Sequence, residues 1–304
     1  MKVGIIGGGA VGLLFAAYLT KVSIVPIIYT RREEQAEKLN KNGIDIIKLG
    51  MKENCRVKAI HFHKGLENDE DLLVITTKQY DLGPIFDYLI SNEIKTPLLF
   101  LQNGMGHITS LPKLSSDSIF LGIVEHGVLR HSDNSITHTG DGQIKIGQFK
   151  GKSEEMANIW YALNSIGFPI KIEDEWYPIL LKKLIVNAAI NPLTALYKIQ
   201  NGMLLKNDFY FKNMKSIYNE VVAAVNVSET DSLWEEVISI CQNTGSNYSS
   251  MYKDIENKRQ TEIESILGYI LEQGEKRKIP MPLTYFLYYS IKGMEYIREE
   301  EGNG

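Results

Sequence analysis

The sequence predicts an α/β domain with a mainly parallel sheet, followed by an all-α domain. Through the first half of the chain, short apolar runs alternate with helical patterns, which is typical of parallel strands covered by helices. From about residue 175 the strand patterns stop, and helical patterns follow one another. We therefore expect one domain over residues 1–174 and a second over residues 175–304.

The elements of the first domain follow from short apolar runs and from the polar segments between them. Strands are predicted at 2–6, 24–29, 71–76, 96–101 and 118–124, and helices at 10–20, 32–41 and 82–91. Pro26 is an objection to the second strand, because proline cannot donate to a ladder. The runs SITHTG and QIKIG within 127–148 predict antiparallel hairpin strands that extend the sheet. A helix near 153–166 and a strand near 168–173 complete the domain.

The second domain is predicted to contain helices only. Apolar residues recur at helical spacing, and in 261–277 they form one stripe that a helix would bury. The predicted helices cover 175–199, 208–227, 231–244, 251–258, 261–277 and 283–299.

Composition and charge exclude several classes of protein. The 304 residues carry a net charge of −4, which offers nucleic acid or an anionic membrane no electrostatic attraction. Cys55 and Cys241 lie far apart, so we predict neither a disulfide framework nor a metal site. No signal peptide and no uninterrupted apolar span are apparent. We expect a cytoplasmic protein.

A glycine-rich turn follows the first strand. Gly7, Gly8, Gly9, Ala10, Val11 and Gly12 fit G-x-G-x-x-G between a strand and a helix, the context that gives this motif its value. Gly7 permits the tight turn, Gly9 lets the backbone approach a pyrophosphate, and Gly12 lets the helix lie close to the strand. The free N–H groups of the helix start can bind phosphate. This pattern predicts a Rossmann dinucleotide site.

The end of the second strand favours NADP(H) over NAD(H). NAD-selective sites place an acid there to accept from the ribose 2′-hydroxyl. Here the strand is followed by Arg31 and Arg32, and a guanidinium can grip a 2′-phosphate through two hydrogen bonds. Arg31 is our choice for this contact. The alternative is that both are surface arginines at a helix start.

A polar stripe marks the first helix of the second domain. Lys183, Asn187 and Asn191 are spaced i, i+4 and i+8 among apolar residues, so they share one face. Buried polar groups need partners, and the stripe therefore predicts a polar cleft. Taken singly, the lysine could lie at the surface and the asparagines could bond between helices. Pro192 should kink the helix and free a carbonyl.

Two further positions could face a cleft but also have simpler explanations. Ser250 precedes a helix predicted to begin near Met251, where it would serve as the N-cap. Glu262 lies at the start of the next helix, where an acid stabilises the helix dipole. Only a bound substrate would make either residue functional.

Several of these motifs together resemble the ketopantoate reductases (2-dehydropantoate 2-reductases). The resemblance runs through nearly the whole chain. It includes GGGAVG at 7–12, the two arginines at 31–32, TKQ at 77–79, LQNGMG at 101–106, KKLIVNAAINPLTAL at 182–196, NYSSM at 247–251 and TEIESILGY at 261–269.

The resemblance implies reduction of 2-dehydropantoate to (R)-pantoate with NADPH, in pantothenate and coenzyme A synthesis. It implies Lys183 as the general acid and a substrate site formed by Lys183, Asn187, Asn191, Asn201, Asn103, Asn247 and Ser250. It also implies cofactor contacts from Lys78, Asn103, Val128 and Glu262, besides the glycine turn and Arg31. A lysine ammonium can stabilise charge on a ketone oxygen and deliver the proton.

Two positions depart from the family pattern. Leu267 stands where an asparagine is common, and Glu125 stands where small hydroxyl residues are frequent. They keep open a related 2-oxo acid as substrate. A 3-hydroxyacid or glycerol-3-phosphate type of dehydrogenase is the nearest alternative, and a non-catalytic NADP(H)-sensing protein is an alternative from another class. The sequence leaves a homodimer possible.

Overall fold

A computed structural model describes residues 1–151 and 156–302, with side chains through residue 296. The predicted fold class is confirmed, since strands fill the first half and helices follow. By their internal contacts the residues divide into an α/β unit, residues 1–102 and 110–180, and a helical unit, residues 103–109 and 181–304. The domain boundary predicted at residues 174 and 175 stays a prediction.

Twelve strands form two sheets in the described part of the α/β unit. In chain order they are β1 Val3–Ile6, β2 Ile27–Thr30, β3 Ile44–Lys48, β4 Met51–Cys55, β5 Lys58–His61, β6 Leu72–Ile75, β7 Leu98–Phe100, β8 Ile119–Val124, β9 Gly127–Arg130, β10 Ser135–Gly140, β11 Ile144–Lys150 and β12 Ile170–Glu173. The larger sheet has the order β12-β11-β8-β7-β6-β1-β2-β5, and the smaller has the order β4-β3-β10-β9.

The larger sheet reverses its strand order beside β1. From β1 the chain moves to β2 and β5 on one side and to β6, β7 and β8 on the other, with parallel pairing throughout. Only β11, which pairs antiparallel to β8, and β12, parallel to β11, run the other way. In such sheets ligands bind outside the carboxyl ends of the strands at the point of reversal. The glycine-rich turn directly follows β1 at that point.

Eleven α-helices are described. In the α/β unit they are α1 Ala10–Lys21, α2 Glu33–Asn42, α3 Leu82–Ser91 and α4 Ala157–Ser165. The later helices are α5 Trp176–Tyr197, α6 Met203–Lys206, α7 Asp208–Val225, α8 Thr230–Asn243, α9 Ser250–Glu256, α10 Tyr269–Arg277 and α11 Pro282–Gly302, with a π-helical segment at Glu264–Gly268 before α10. Of the helix predicted at 153–166, residues 153–155 lie outside the described residues.

The core of the α/β unit lies between the sheet and α1. Val3 and Ile5 of β1 pack with Leu13, Phe15 and Leu19 of α1, and all five are at most 1 % exposed. The helix α1 is buried on nearly every side, as its low polar content predicts. This packing holds the N-terminus of α1 at the carboxyl end of β1.

Two predictions about strands are wrong. The second strand begins at Ile27, after Pro26, because the Ile24 N–H still closes the end of α1 on the Leu19 carbonyl. The antiparallel hairpin predicted within 127–148 forms between β9 and β10 in the small sheet, but the run 143–147 is not part of it. That run starts β11, which lies in the large sheet between β8 and the edge strand β12.

Helix α5 has the length and apolar composition of a membrane span. An 18-residue stretch of it has a mean hydropathy of 1.4, and 67 % of that stretch is buried inside the fold. Such burial is typical of a core helix in a folded domain. The helix is continuous through Pro192.

Candidate active site

The glycine-rich turn has the geometry that its sequence predicts. Gly7 has φ +119°, a value that L side chains rarely adopt, and its N–H donates to the Tyr29 carbonyl at 2.9 Å. A Cβ on Gly12 would overlap the Gly7 carbonyl oxygen, so only glycine lets α1 approach β1 so closely. The Gly8 carbonyl accepts from Gln35 Nε2 at 2.7 Å, which ties the turn to α2.

The space above this turn fits a pyrophosphate. A Cβ built on Gly9 meets nothing within 4 Å, so the backbone there faces open space. Among the described residues, no side chain caps α1 at Gly9, and no acid lies in its first turn. The N–H groups at Ala10 and Val11 therefore belong to a helix start suited to an anion. The residues present fit the phosphates of a dinucleotide.

The two arginines after β2 are held by different acids. Arg31 is 75 % exposed, and its Nη1 lies 2.8 Å from Asp81 Oδ1. Arg32 pairs with Asp133, which also accepts from Arg130. No acid ends β2, which is the arrangement expected for NADP(H). An exposed guanidinium on one carboxylate can exchange that partner for a phosphate at little cost.

The other predicted cofactor residues of this unit lie beyond the carboxyl ends of β6 and β8. Lys78 is half-buried and precedes a short 3-10 turn that starts at Gln79. Val128 is half-buried in β9, where it packs against the core. Both positions therefore lie at the sheet edge where the fold binds ligands.

Helix α5 presents the predicted polar stripe on one face. Lys183, Asn187 and Asn191 are all half-buried, whereas the neighbouring Ile185 and Ala188 are fully buried. The three polar side chains therefore lie between the buried face and the solvent-exposed face of the helix. Lys183 stands one turn before Asn187.

A cavity opens beside this stripe, wholly within the helical unit. It encloses about 210 Å³, including open solvent at its mouth. Five of the predicted site residues line it, together with three that were not predicted. The lining residues are Asn103, Asn187, Asn191, Ser250, Met251, Asp254, Glu262 and Ile266. The structure therefore brings together polar residues from three segments that are far apart in the sequence.

Asn103 reaches this cavity through a loop that the π-helical segment anchors. The Tyr269 N–H bonds to the Glu264 carbonyl, five residues back, which leaves the Ser265 carbonyl to accept from Met105 N at 3.1 Å. Gly104 has φ +80°, and a Cβ there would overlap Ser265. The loop places Asn103 Nδ2 3.0 Å from Glu262 Oε2. Glu262 is only 6 % exposed, so this contact partly satisfies a buried carboxylate.

Asp254 is the polar residue among the three lining residues that were not predicted. Its side chain is nearly buried, and Oδ1 lies 3.0 Å from Arg259 Nε. It follows Ser250 by one helical turn, and this i, i+4 spacing was the available signal. A carboxylate in the cavity adds negative charge beside the predicted asparagines.

The prediction that Ser250 caps its helix is wrong. Ser249 is the N-cap of α9, and its buried Oγ accepts from Tyr252 N at 3.1 Å and from Thr194 Oγ1 at 2.9 Å. Ser250 is the first helical residue and is exposed at the cavity. Because Ser249 performs the capping, the hydroxyl of Ser250 is not needed for it.

Among the described residues, three predicted substrate residues do not line the cavity: Lys183, one turn before Asn187 on α5, and two asparagines. Asn201 is buried, and its Nδ2 donates to Thr244 Oγ1 at 2.9 Å, while its N–H donates to the Asn247 carbonyl at 2.9 Å. These contacts tie the residues after α5 to the turn before α9. In the described part of the helical unit, neither asparagine lines the cavity. Their substrate roles stay predictions.

The two departures from the family pattern have structural partners. Glu125, directly after β8, accepts from Lys145 Nζ of the neighbouring β11 at 2.8 Å. Leu267 is fully buried in the π-helical segment, where an apolar side chain packs in the core. Neither residue lines the cavity described above.

Comparison with known proteins shows which family of proteins this chain is similar to. A family model described as ketopantoate reductase PanE/ApbA matches residues 3–151, and one described as ketopantoate reductase PanE/ApbA C terminal matches residues 175–295. A 2-dehydropantoate 2-reductase of Bacillus subtilis is 42 % identical over 296 residues, which cover 97 % of this chain and 98 % of that protein.

Solved structures share the same fold. A crystal structure of a probable 2-dehydropantoate 2-reductase from Bacillus subtilis superposes with a TM-score of 0.86 at 40 % identity, covering 97 % of this chain and 100 % of that one. A D-mandelate dehydrogenase in complex with NADH and anilino(oxo)acetate has a TM-score of 0.87 at 24 % identity, covering 98 % and 100 %. The second likeness concerns the fold alone, so the fold by itself does not select the substrate.

Proposed function

Because the chain belongs to the ketopantoate reductase family, we propose that it reduces 2-dehydropantoate to (R)-pantoate with NADPH, in pantothenate and coenzyme A synthesis. The predicted family and enzyme class are confirmed, and the chain is an oxidoreductase that depends on a nicotinamide cofactor. The observation that carries the proposal is the cavity that gathers Asn103, Asn187, Asn191 and Ser250.

The α/β unit would hold the cofactor mainly by its backbone. The N–H groups of the turn from Gly7 to Gly12 would bind the pyrophosphate, with the open face of Gly9 allowing close approach. Arg31 would leave Asp81 to grip the 2′-phosphate. The backbone at Val128 would contact the nicotinamide half of the cofactor, and the side chain of Lys78 would make a further cofactor contact. When bound, the reduced nicotinamide supplies a hydride to the ketone carbon.

Lys183 would supply the proton. As the ketone carbon gains a hydride, its oxygen gains negative charge, which an ammonium stabilises before it transfers one proton to complete the hydroxyl. The half-buried position of Lys183, on the same face as Asn187, supports this role. General acid catalysis of this kind contributes roughly 10²- to 10⁴-fold to a rate.

The amides and the serine would orient the substrate. An asparagine side chain both donates and accepts, so Asn187 and Asn191 can serve a carboxylate or the terminal hydroxyl of 2-dehydropantoate. The Ser250 hydroxyl, released from capping by Ser249, can donate to the carboxylate. Asn103 and Glu262 stay predicted cofactor contacts, as do the substrate roles of Asn201 and Asn247.

The compartment, the assembly and the alternative functions are still predictions. The proposed compartment is the cytoplasm, and the proposed assembly is a homodimer. The alternatives are a reductase of another 2-oxo acid, a dehydrogenase of a 3-hydroxy acid, and a non-catalytic NADP(H) sensor. The polar lining of the cavity favours a substrate that carries a hydroxyl besides its oxo acid group.

An NADPH oxidation assay tests the proposal. The substrate pair is 2-dehydropantoate and trimethylpyruvate, which has the same carbon skeleton without the terminal hydroxyl. We expect kcat/KM to favour 2-dehydropantoate by at least about 100-fold, because a site built to bond a hydroxyl rejects an analogue that lacks it. A preference for trimethylpyruvate would refute the substrate assignment. Oxidation of 3-hydroxyisobutyrate with NADP+, without reduction of either 2-oxo acid, would refute it as well. Binding of NADPH with no turnover of any of them would favour the sensor.

A further inference from the structure

A buried histidine pair lies where the chain leaves the large sheet. His126 follows the carboxyl end of β8 and is 7 % exposed, and His138 in β10 is 4 % exposed. Neither residue belongs to the glycine turn or to the cavity of the helical unit. Their position matters because the carboxyl ends of parallel strands form the ligand-binding edge of this fold.

The hydrogen bonds of His126 and His138 show which of their ring nitrogens donate and which accept. His126 Nδ1 accepts from Gly142 N at 3.1 Å, so it carries no proton. It lies 3.2 Å from His138 Nε2, which must then be the donor of that pair. His138 Nδ1 is left as an acceptor and lies 2.8 Å from Tyr18 Oη, which donates. A directed chain therefore runs from Tyr18 of α1 through His138 to His126.

Packing keeps both histidine rings neutral, which the series of hydrogen bonds from Tyr18 to His126 requires. The His126 ring stacks on Phe168 with ring centroids 4.4 Å apart, and Tyr18 stacks on the same ring at 4.1 Å. Burial lowers the pKa of His126 to about 4 and also lowers the pKa of His138. At neutral pH neither ring carries the second proton that would turn His126 Nδ1 into a donor.

The same groups do not form a good metal site. His126, His138 and Asp141 place their ligand atoms within 4.8 Å of one another. However, His126 Nδ1 already accepts from the Gly142 N–H and from His138, and Lys48 Nζ lies 2.6 Å from Asp141 Oδ1. A cation bound through His126 Nδ1 and Asp141 would have to displace both an amide and an ammonium. The hydrogen-bonded chain is the simpler account of the contacts.

The histidine pair connects two segments that we assign to the cofactor. His138 is the direct cross-strand partner of Val128, and the register shifts just after it, between His138 and Gly140. Bulges of this kind often re-aim a strand beside a functional site. Tyr18 belongs to α1, whose N-terminus carries the phosphate-binding turn. His138 therefore sets the position of the Val128 backbone relative to α1.

We propose that His138 is a positioning residue that holds β9 at the place where the nicotinamide end of the cofactor binds, through Tyr18 on one side and His126 on the other. This inference rests on the proposed function. In this proposal His138 affects binding of the nicotinamide half of the cofactor, whereas the glycine turn and Arg31 bind the adenosine half.

The test compares two ligands, NADPH and 2′,5′-ADP, which lacks the nicotinamide. His138→Leu should raise the Kd of NADPH about tenfold, as expected for the loss of one or two hydrogen bonds, and change the Kd of 2′,5′-ADP less than twofold. Tyr18→Phe keeps the ring that stacks on Phe168 and removes only the hydroxyl, so it should shift the NADPH Kd in the same direction by a smaller factor even if His138→Leu folds poorly.

A matched control lies in the same hairpin. His131 is exposed, and its Nε2 contacts Thr137 Oγ1 at 2.7 Å, so His131→Gln should leave both Kd values unchanged. Equal weakening of the two ligands by Tyr18→Phe, or no change in either, would overturn the positioning role. If the wild-type protein bound 2′,5′-ADP and NADPH with equal affinity, the nicotinamide half would add nothing to binding. That result would overturn the positioning role and leave the proposed function intact. Failure of the wild type to bind either ligand would overturn the proposed function with it.

Discussion

The two units of this molecule present their candidate sites in opposite ways. In the α/β unit the site consists of backbone, with glycines that clear space and a helix start that offers N–H groups. In the helical unit it consists of side chains from α5, α9 and the loop at residues 103–109. A backbone site can bind a ligand common to many enzymes, whereas a side-chain site can select one substrate and supply a proton.

The largest expected effect tests the chemical half of this contrast. Lys183→Ala should lower kcat by roughly 10²- to 10⁴-fold while the Kd of NADPH stays within a few-fold, because the ammonium acts on the ketone oxygen. Lys182→Ala is the matched control, since its exposed neighbouring ammonium pairs with Glu236. Steady-state kinetics and a fluorescence titration of NADPH give both quantities. Normal turnover in Lys183→Ala would show that another group delivers the proton.

A pair of glycine substitutions tests the backbone half. Gly9→Ala has room for its methyl in the protein alone, so its thermal stability should match wild type while NADPH binds roughly 100-fold more weakly. Gly12→Ala places its Cβ against the Gly7 carbonyl oxygen, so overpacking should cost about 1–3 kcal/mol of unfolding free energy. Thermal unfolding and NADPH titration separate the two results. Unaltered NADPH affinity in Gly9→Ala would contradict pyrophosphate binding at this turn.

The smallest expected effect concerns the one side chain on which the α/β unit relies for selectivity. Arg31→Ala should weaken NADPH about tenfold and leave NADH nearly unchanged, because an exposed charge-assisted pair is partly screened by solvent. Arg32→Ala, which removes the partner of Asp133, should affect the two cofactors equally. If Arg31→Ala weakened the binding of NADPH and NADH equally, Arg31 would have no role at the 2′-phosphate. The α/β unit would then have no known side chain that selects its cofactor.

Sequence patterns predicted the backbone site better than the side-chain site, for a physical reason. The roles of Gly7, Gly9 and Gly12 are local, because the strand, turn and helix are contiguous in the chain. The stripe on α5 also follows from local spacing. For Asp254 the spacing from Ser250 indicates only a shared helix face, because its burial in the cavity depends on how α9 packs.

Errors elsewhere in the predictions have the same origin. Ser249 and Ser250 are adjacent and chemically equivalent, and only the contacts of Ser249 Oγ with Tyr252 N and Thr194 show which one caps α9. The small sheet was missed in part because β10 finds its parallel partner in β3, far away in sequence. The His126–His138 pair likewise depends on how β10 packs beside the segment between β8 and β9.

The loop that carries Asn103 has a consequence for protein engineering. It belongs to the helical unit although it is encoded between two stretches of the α/β unit, so the chain passes from one unit to the other three times. A chimera that exchanged only the sequence after residue 180 with that of a relative would pair a foreign π-helical segment with the native Gly104 and Met105. To transplant substrate preference, a designer should therefore move residues 103–109 together with the C-terminal half.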